Sequence, residues 1–177
     1  MQQSLSHKKG EHAMRYARNN TNRIPNLVIE DAHVMPFSNF AGKEGKFNKA
    51  GVRSFQIELT DLDTIEDLRK LGWNVRDRVS REGEPYYTLD VKVSYNDKAP
   101  HPEAEIISNN KSTFIGEDEI GMLDYAEVDR VDVVIAPYQY SFNGQEGVSA
   151  YLRKIRVWLT SDGLSPSGVD EEPMPFE

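Results

Sequence analysis

Aromatic and basic side chains are interleaved near the end of this 177-residue chain. Tyr138, Tyr140 and Phe142 recur at every second position, and the run that follows carries Arg153, Lys154, Arg156 and Trp158. In an extended chain, residues two apart share a face. The three rings therefore fall on one side of the outgoing strand, and cations flank a ring on the return. Stacking of a base on an aromatic ring contributes about 1 to 3 kcal/mol whatever the base, while lysine and arginine follow phosphates. Such a surface suits a single nucleic-acid strand. Taken alone, each ring serves equally well as core, so the argument rests on their grouping with cations. A second set comprises Arg76 and Arg78 on the run that begins at Trp73, with Lys92 on the run expected to pair with it. Lys43, Lys46, Lys49 and Arg53 surround a Gly-rich connection, with Phe37, Phe40 and Phe47 beside them. These loop rings could clamp a strand or cap the end of the fold. Trp73 is included with the expected contacts.

Little else in the chain promises chemistry. There is no cysteine, which excludes disulfides and thiolate catalysis. No G-x-S-x-G elbow, phosphate loop or dinucleotide fingerprint occurs. His7, His12, His33 and His101 are scattered without ligand spacing. Glu117, Asp118, Glu119, Asp124, Asp129 and Asp132 could assemble a metal-dependent nuclease, yet they fall at a helix start and at strand edges, where solvated carboxylates are ordinary. The expectation is a non-enzyme with no metal and no cofactor.

The formal charge of −8 looks wrong for a nucleic-acid binder until it is divided. Residues 1–23 hold five basic and one acidic side chain, and residues 161–177 hold five acids and no base, which leaves the body at −7. Contact with a polyanion must come from local basic faces. The acidic end also contains three prolines and cannot bury enough apolar surface to order itself. No apolar run is long enough to span a bilayer, and the first residues lack an apolar signal core. A soluble, cytoplasmic protein is expected.

Residues 1–25 read as a flexible basic arm, loosely helical near Glu11–Arg18, and residues 161–177 as a disordered acidic tail. Between them, residues 26–160 read as one domain. Strands are expected at 27–35, 52–60 and 73–80, and in a return through Tyr87, Leu89, Val91, Val93 and Tyr95. One or two more lie within 105–115. Thr60 and Asp63 have capping-box spacing for a helix over 61–71 that Gly72 closes, and 117–126 reads as a second short helix. Val128–Phe142 and Val148–Leu159, joined by the turn signal Asn143-Gly144-Gln145-Glu146-Gly147, form a hairpin. About seven strands with two small helices and no βαβ alternation predict a mostly antiparallel β-barrel with helical insertions, with an immunoglobulin-like sandwich as the competing architecture.

Several blocks in this order resemble the bacteriophage single-stranded DNA-binding proteins (SSBs). They are Ser38-Asn39-Phe40-x-Gly42, Asn48-x-x-Gly51-x-Arg53-x-Phe55, Leu71-Gly72-Trp73-Asn74-Val75, Ile135-x-Pro137-Tyr138 and Gly147-Val148-x-Ala150-Tyr151-Leu152. The resemblance implies an oligonucleotide-binding (OB) fold and binding of single-stranded DNA in phage replication, recombination and repair inside the infected bacterium. The end of the chain resembles the tips of SSBs, where acidic residues lead into a proline and an aromatic. Asp170, Glu171 and Glu172 precede Met174, Pro175 and Phe176, with Glu177 as a departure beyond the aromatic. That likeness implies docking of replication or recombination proteins. A protein-binding adaptor barrel is the competing reading, and assembly of several copies stays open.

Overall fold

The computed structural model describes residues 13–17 and 24–160. The acidic run from Asp170 to Phe176 lies outside the described residues. Strands β1 (Ala13–Ala17), β2 (Asn26–Glu30), β3 (His33–Val34) and β4 (Arg53–Leu59) precede helix α1 (Leu62–Lys70). Then come β5 (Val75–Val79), β6 (Pro85–Val93), β7 (Glu103–Ser108), β8 (Lys111–Ile115), a 3₁₀ turn at Ile120–Asp124, β9 (Val128–Phe142) and β10 (Gln145–Leu159). The described residues are mostly β, as the alternation predicted, and hold one α-helix where two short helices were expected.

Period-two patterning builds the core directly. Phe55, Ile57 and Leu59 of β4 face inward opposite Val91, Leu89 and Tyr87 of β6, and the first five of these are buried or nearly so. Val131, Val133 and Ile135 of β9 join them with Leu27 and Ile29 of β2. Burying each such aliphatic side chain stabilises the fold by about 1.5 to 3 kcal/mol.

Hydrogen bonding runs β1-β2-β9-β10-β6-β4-β3, with β5 on β6, β7 on β10 and β8 on β7. β10 is the hub. It is antiparallel to β9 but parallel to β6 at Ala150–Tyr151 and to β7 at Lys154–Trp158. No continuous ladder closes the sheet. Instead the two residues Asp31 and Ala32 join β2, which pairs with β9, to β3, which pairs with β4. Asp31 takes φ 53°, and its N–H donates to the Oδ1 of Asp132 at 2.8 Å. Arg130 Nε donates to the same oxygen at 2.9 Å, so a buried carboxylate clamps the bend that wraps the barrel.

Helix α1 is capped by Asp61 rather than Thr60. The Asp61 carboxylate accepts the Asp63 N–H at 3.1 Å and the Thr64 hydroxyl at 2.7 Å, the usual N-cap service to orphan donors. At the other end Gly72 adopts φ 95°, and N–H groups of Gly72 and Trp73 donate to the carbonyls of Arg69 and Leu68 at 3.0 and 2.9 Å. This Schellman arrangement turns Trp73 inward with Leu68.

Three further expectations change. Residues 13–17, expected within a flexible and loosely helical arm, form an edge strand on β2 with Met14 in the core. Within residues 117–126 only Ile120–Asp124 are helical, as a 3₁₀ turn and not an α-helix, and Gly121 backs onto Ala41, where a Cβ would meet the alanine Cβ at 2.9 Å. The returning strand of the hairpin starts at Gln145 instead of Val148, directly after Asn143 and Gly144 with φ 51° and 77°. Both central residues at positive φ match the twist of the flanking strands.

Candidate nucleic-acid interface

The outward faces of β4, β6, β10 and β9 lie side by side and form a groove. Gln56 pairs in register with Asp90, and Tyr151 with Lys92 and Ala136, while Ser149 lies opposite Tyr138. Two clefts open along this surface. One, of about 690 Å³, is lined by Phe37, Val52, Arg53, Gln56, Tyr95 and Glu117 among others. The second, of about 470 Å³, is lined by Asn74, Arg76, Tyr138, Tyr140, Phe142 and Ser149 among others. Asp90, Lys92 and Tyr151 line both, so the two clefts adjoin across these side chains, and the surface that carries them is the channel of this site.

Rings populate this channel with their faces available. Tyr138 is 60% and Phe142 72% exposed at one end, and Phe37 is 93% exposed at the other. Tyr151 lies between, edge-on to Tyr138 with centroids 5.6 Å apart, and Lys92 Nζ sits 5.7 Å from its centroid. Tyr140 is held by Asn74 Nδ2, which donates to its hydroxyl at 3.0 Å. Sequence reasoning did not place Tyr151 in the site. The usable signal was its position between buried Ala150 and Leu152, which puts it on the outward face.

Cations divide by whether a carboxylate already holds them. Lys92 has no ion pair among the described residues, and neither do Lys43, Lys46 and Lys49 on the loop whose ends wall the first cleft. Lys43 donates to the Tyr125 hydroxyl, and that hydrogen bond raises its pKa. Lys46 Nζ lies 5.5 Å from the centroid of Phe47, which is 94% exposed. Arg76 Nε is 2.9 Å from Asp90, and Arg53 is 3.3 Å from Glu117 with its guanidinium 5.5 Å from the Tyr95 centroid. Burial raises the pKa of Tyr95, keeping that hydroxyl neutral.

Other expected contacts lie elsewhere. Trp73 is 3% exposed and belongs to the core, so its ring has no face for a base; the Schellman turn is the physical reason. Arg78 is farther along β5, opposite Tyr86. Arg153, Lys154, Arg156 and Trp158 continue the outward face of β10 away from the channel and toward β7. A register shift between Leu152 and Lys154 keeps Leu152 and Ile155 both inward, so Arg153 and Lys154 are adjacent on the outside. Lys154 lies 3.8 Å from Glu103 and Arg156 2.8 Å from Glu105, while Trp158 is flanked by Arg130 and Arg156 at 5.0 and 5.9 Å. Burial alone would raise the Glu105 carboxyl, but hydrogen bonds from Ser112 and Arg156 with the Arg156 charge overcome it and lower the pKa.

Three of the six carboxylates considered for a metal nuclease have structural employment. Asp124 accepts the N–H of Phe40 at 2.7 Å, the N–H of Ala41 at 2.9 Å and the Ser38 hydroxyl at 3.1 Å, Asp129 accepts the Thr160 hydroxyl at 3.0 Å, and Asp132 clamps the barrel bend. Among the described residues no group of three or more such side chains converges to hold an ion.

The profile of the phage ssDNA-binding domain matches residues 17–170. The chain belongs to the phage ssDNA-binding domain family. This phage ssDNA-binding domain is also similar in fold to the single-stranded DNA-binding protein from bacteriophage Enc34 solved in complex with ssDNA, with a TM-score of 0.52 at 10% identity over 84% of this chain and 97% of that one. The same Enc34 protein in another structure gives 0.49 at 12% identity over 89% and 96%. The single-stranded DNA-binding protein gp2.5 of bacteriophage T7 gives 0.38 at 11% identity over 94% and 100%. No curated protein matches the sequence. The OB-fold-like architecture expected of the barrel agrees with the first of these likenesses. Among the described residues of this domain, no helix is long and apolar enough to cross a membrane.

Proposed function

We propose that this protein binds single-stranded DNA along the channel, coating it without strong sequence preference during phage replication, recombination and repair in the infected cell. The observation that carries the reading is the channel in which Phe37, Tyr151, Tyr138 and Phe142 are spaced along a floor beside Lys92, which has no ion pair among the described residues. Rings at intervals take successive bases, and lysines at the rim take phosphates. Family membership supports the same reading. Residues 161–177 serve as a partner-recruiting acidic segment that also competes with DNA for the basic rim. Removing them leaves DNA affinity equal or higher and abolishes partner capture; a large loss of affinity overturns that role.

Titration of fluorescent oligo-deoxythymidine at two salt concentrations tests the reading. Saturable binding that weakens with salt is expected, since each phosphate contact releases counterions. Absence of saturable binding overturns it in favour of a protein-binding adaptor. Degradation of the labelled strand with magnesium or manganese would instead restore the nuclease.

A further inference from the structure

We propose that Asp90 makes this channel select unpaired bases and reject duplex DNA; the inference rests on the single-strand reading above. Asp90 stands where the two clefts meet and lines both, with its side chain one-third exposed. Its Oδ1 accepts Gln56 Nε2 at 2.7 Å, and its other oxygen faces Arg76 Nε at 2.9 Å. A carboxylate offers about four acceptor sites. With two taken, the floor still presents open acceptors to whatever fills the channel.

A carboxylate on the floor of a channel for a polyanion is a repulsive element, and such elements create specificity by penalising the wrong partner. A phosphate brought to the floor meets a like charge. A base edge does not. Each of the four bases carries at least one N–H donor on its Watson–Crick edge: an amino group in adenine, cytosine and guanine, and the ring N3–H in thymine. In a single strand these donors are free to reach Asp90, whichever base carries them. In a duplex they are consumed by pairing, and the outermost groups are phosphates. The same carboxylate therefore tolerates any sequence and discriminates by strandedness.

The neighbouring side chains fit that division. Lys92 shares the outward face of β6 with Asp90, two residues away, and its ammonium stands over Tyr151, so phosphates are drawn to the rim while bases turn down toward Asp90. Gln56 orients the carboxylate, and Arg76 offsets its charge without covering it.

The test uses the full chain and fluorescence anisotropy with three ligands: oligo-deoxythymidine, the same oligonucleotide with N3-methylated thymines, and a blunt duplex of equal length. The methylated strand keeps its charge and rings but has no N3–H, and the wild-type protein is expected to bind it about tenfold more weakly, in the range of a lost hydrogen bond to a charged group. Asp90→Asn is expected to lower the ratio of single-strand to duplex affinity about tenfold by tightening duplex binding, as relief of a like-charge contact requires. Equal affinity for methylated and unmethylated strands overturns the proposal whether or not the variant folds. So does an unchanged ratio in Asp90→Asn with wild-type circular dichroism. Failure of the wild-type protein to bind oligo-deoxythymidine overturns the single-strand reading itself, whereas tight binding unaffected by methylation removes only the role of Asp90.

Discussion

The ring of Tyr140 lies across Gly147, its partner on the β9–β10 ladder, so closely that a Cβ on Gly147 would come within 2.4 Å of the tyrosine hydroxyl oxygen. The glycine is required there by its neighbour's ring and not by its own backbone conformation. With Asn74 holding the hydroxyl from the other side, the contact fixes Tyr140 at the end of the second cleft. Gly147→Ala must displace the ring or bend the hairpin. Because the ring is partly exposed and can swing aside, oligo-deoxythymidine affinity is expected to fall while the urea midpoint moves less than for overpacking in a core. Tyr140→Phe keeps the ring and loses only the Asn74 hydrogen bond, so its affinity should stay near wild type.

Tyr151 and Lys92 act on different parts of a strand, one on bases and one on phosphates. Tyr151→Ala is expected to cost about 1 to 3 kcal/mol of binding at any salt concentration. Lys92→Ala is expected to reduce the slope of log affinity against log salt by about 0.7, the value for one phosphate contact to a single strand. A Tyr151→Ala protein with undiminished affinity would remove that ring from the interface.

The two tryptophans are predicted to behave oppositely. Trp73→Ala empties a core site closed by the Schellman turn and should destabilise the fold by about 3 to 5 kcal/mol. Trp158 is half-buried between two arginines outside the channel, so Trp158→Ala should leave oligo-deoxythymidine affinity close to wild type while changing stability less. Denaturant midpoints and anisotropy titrations on the same two samples separate these effects.

Asp124 ties the 3₁₀ turn to the loop that carries Lys43, Lys46 and Lys49. Asp124→Asn keeps one acceptor oxygen and sets an amide donor against backbone N–H groups. Leaving such groups unsatisfied costs about 1 to 3 kcal/mol. Amide exchange at Phe40 and Ala41 should accelerate selectively, and unchanged exchange there would show that the loop is held by other means.

Glu105 predicts an acid-side loss of stability. Its pKa is lowered in the folded protein, so its contribution is fully present above the unfolded value of 4.5 and is lost as pH falls through the folded value. Glu105→Gln removes the titrating group. Thermal melts of the two proteins should therefore differ most near neutral pH and converge as the solution is acidified below 4.5.

Much of this was legible because the signals were local. Alternation placed β4 and β6, a long apolar run placed β9, and the turn signal over 143–147 placed the hairpin; the turn itself narrows to Asn143 and Gly144, which both take positive φ. The edge strand at 13–17 was not legible. Its polar neighbours hid it, and it exists because β2 offers an unpaired edge. Trp73 is among the expected DNA contacts although alternation along 73–80 sets it opposite Arg76 and Arg78; the helix end before it turns it into the core with Leu68.

The sequence by itself determined that this is a β-rich body of −7 net charge with rings and cations interleaved on its strands, because patterning and charge are properties of each segment alone. Only the tertiary structure decided which of those cations remain free and which rings share a surface. Lys154 and Arg156 look like phosphate ligands in the sequence, yet the parallel docking of β7 onto β10 sets Glu103 and Glu105 beside them. Lys92, Tyr151 and Asp90 meet on one floor because β10 pairs with β6 in parallel at Ala150–Tyr151. Pairings between segments so far apart in the chain are set by how the whole barrel buries its apolar faces, and no local window of residues contains them.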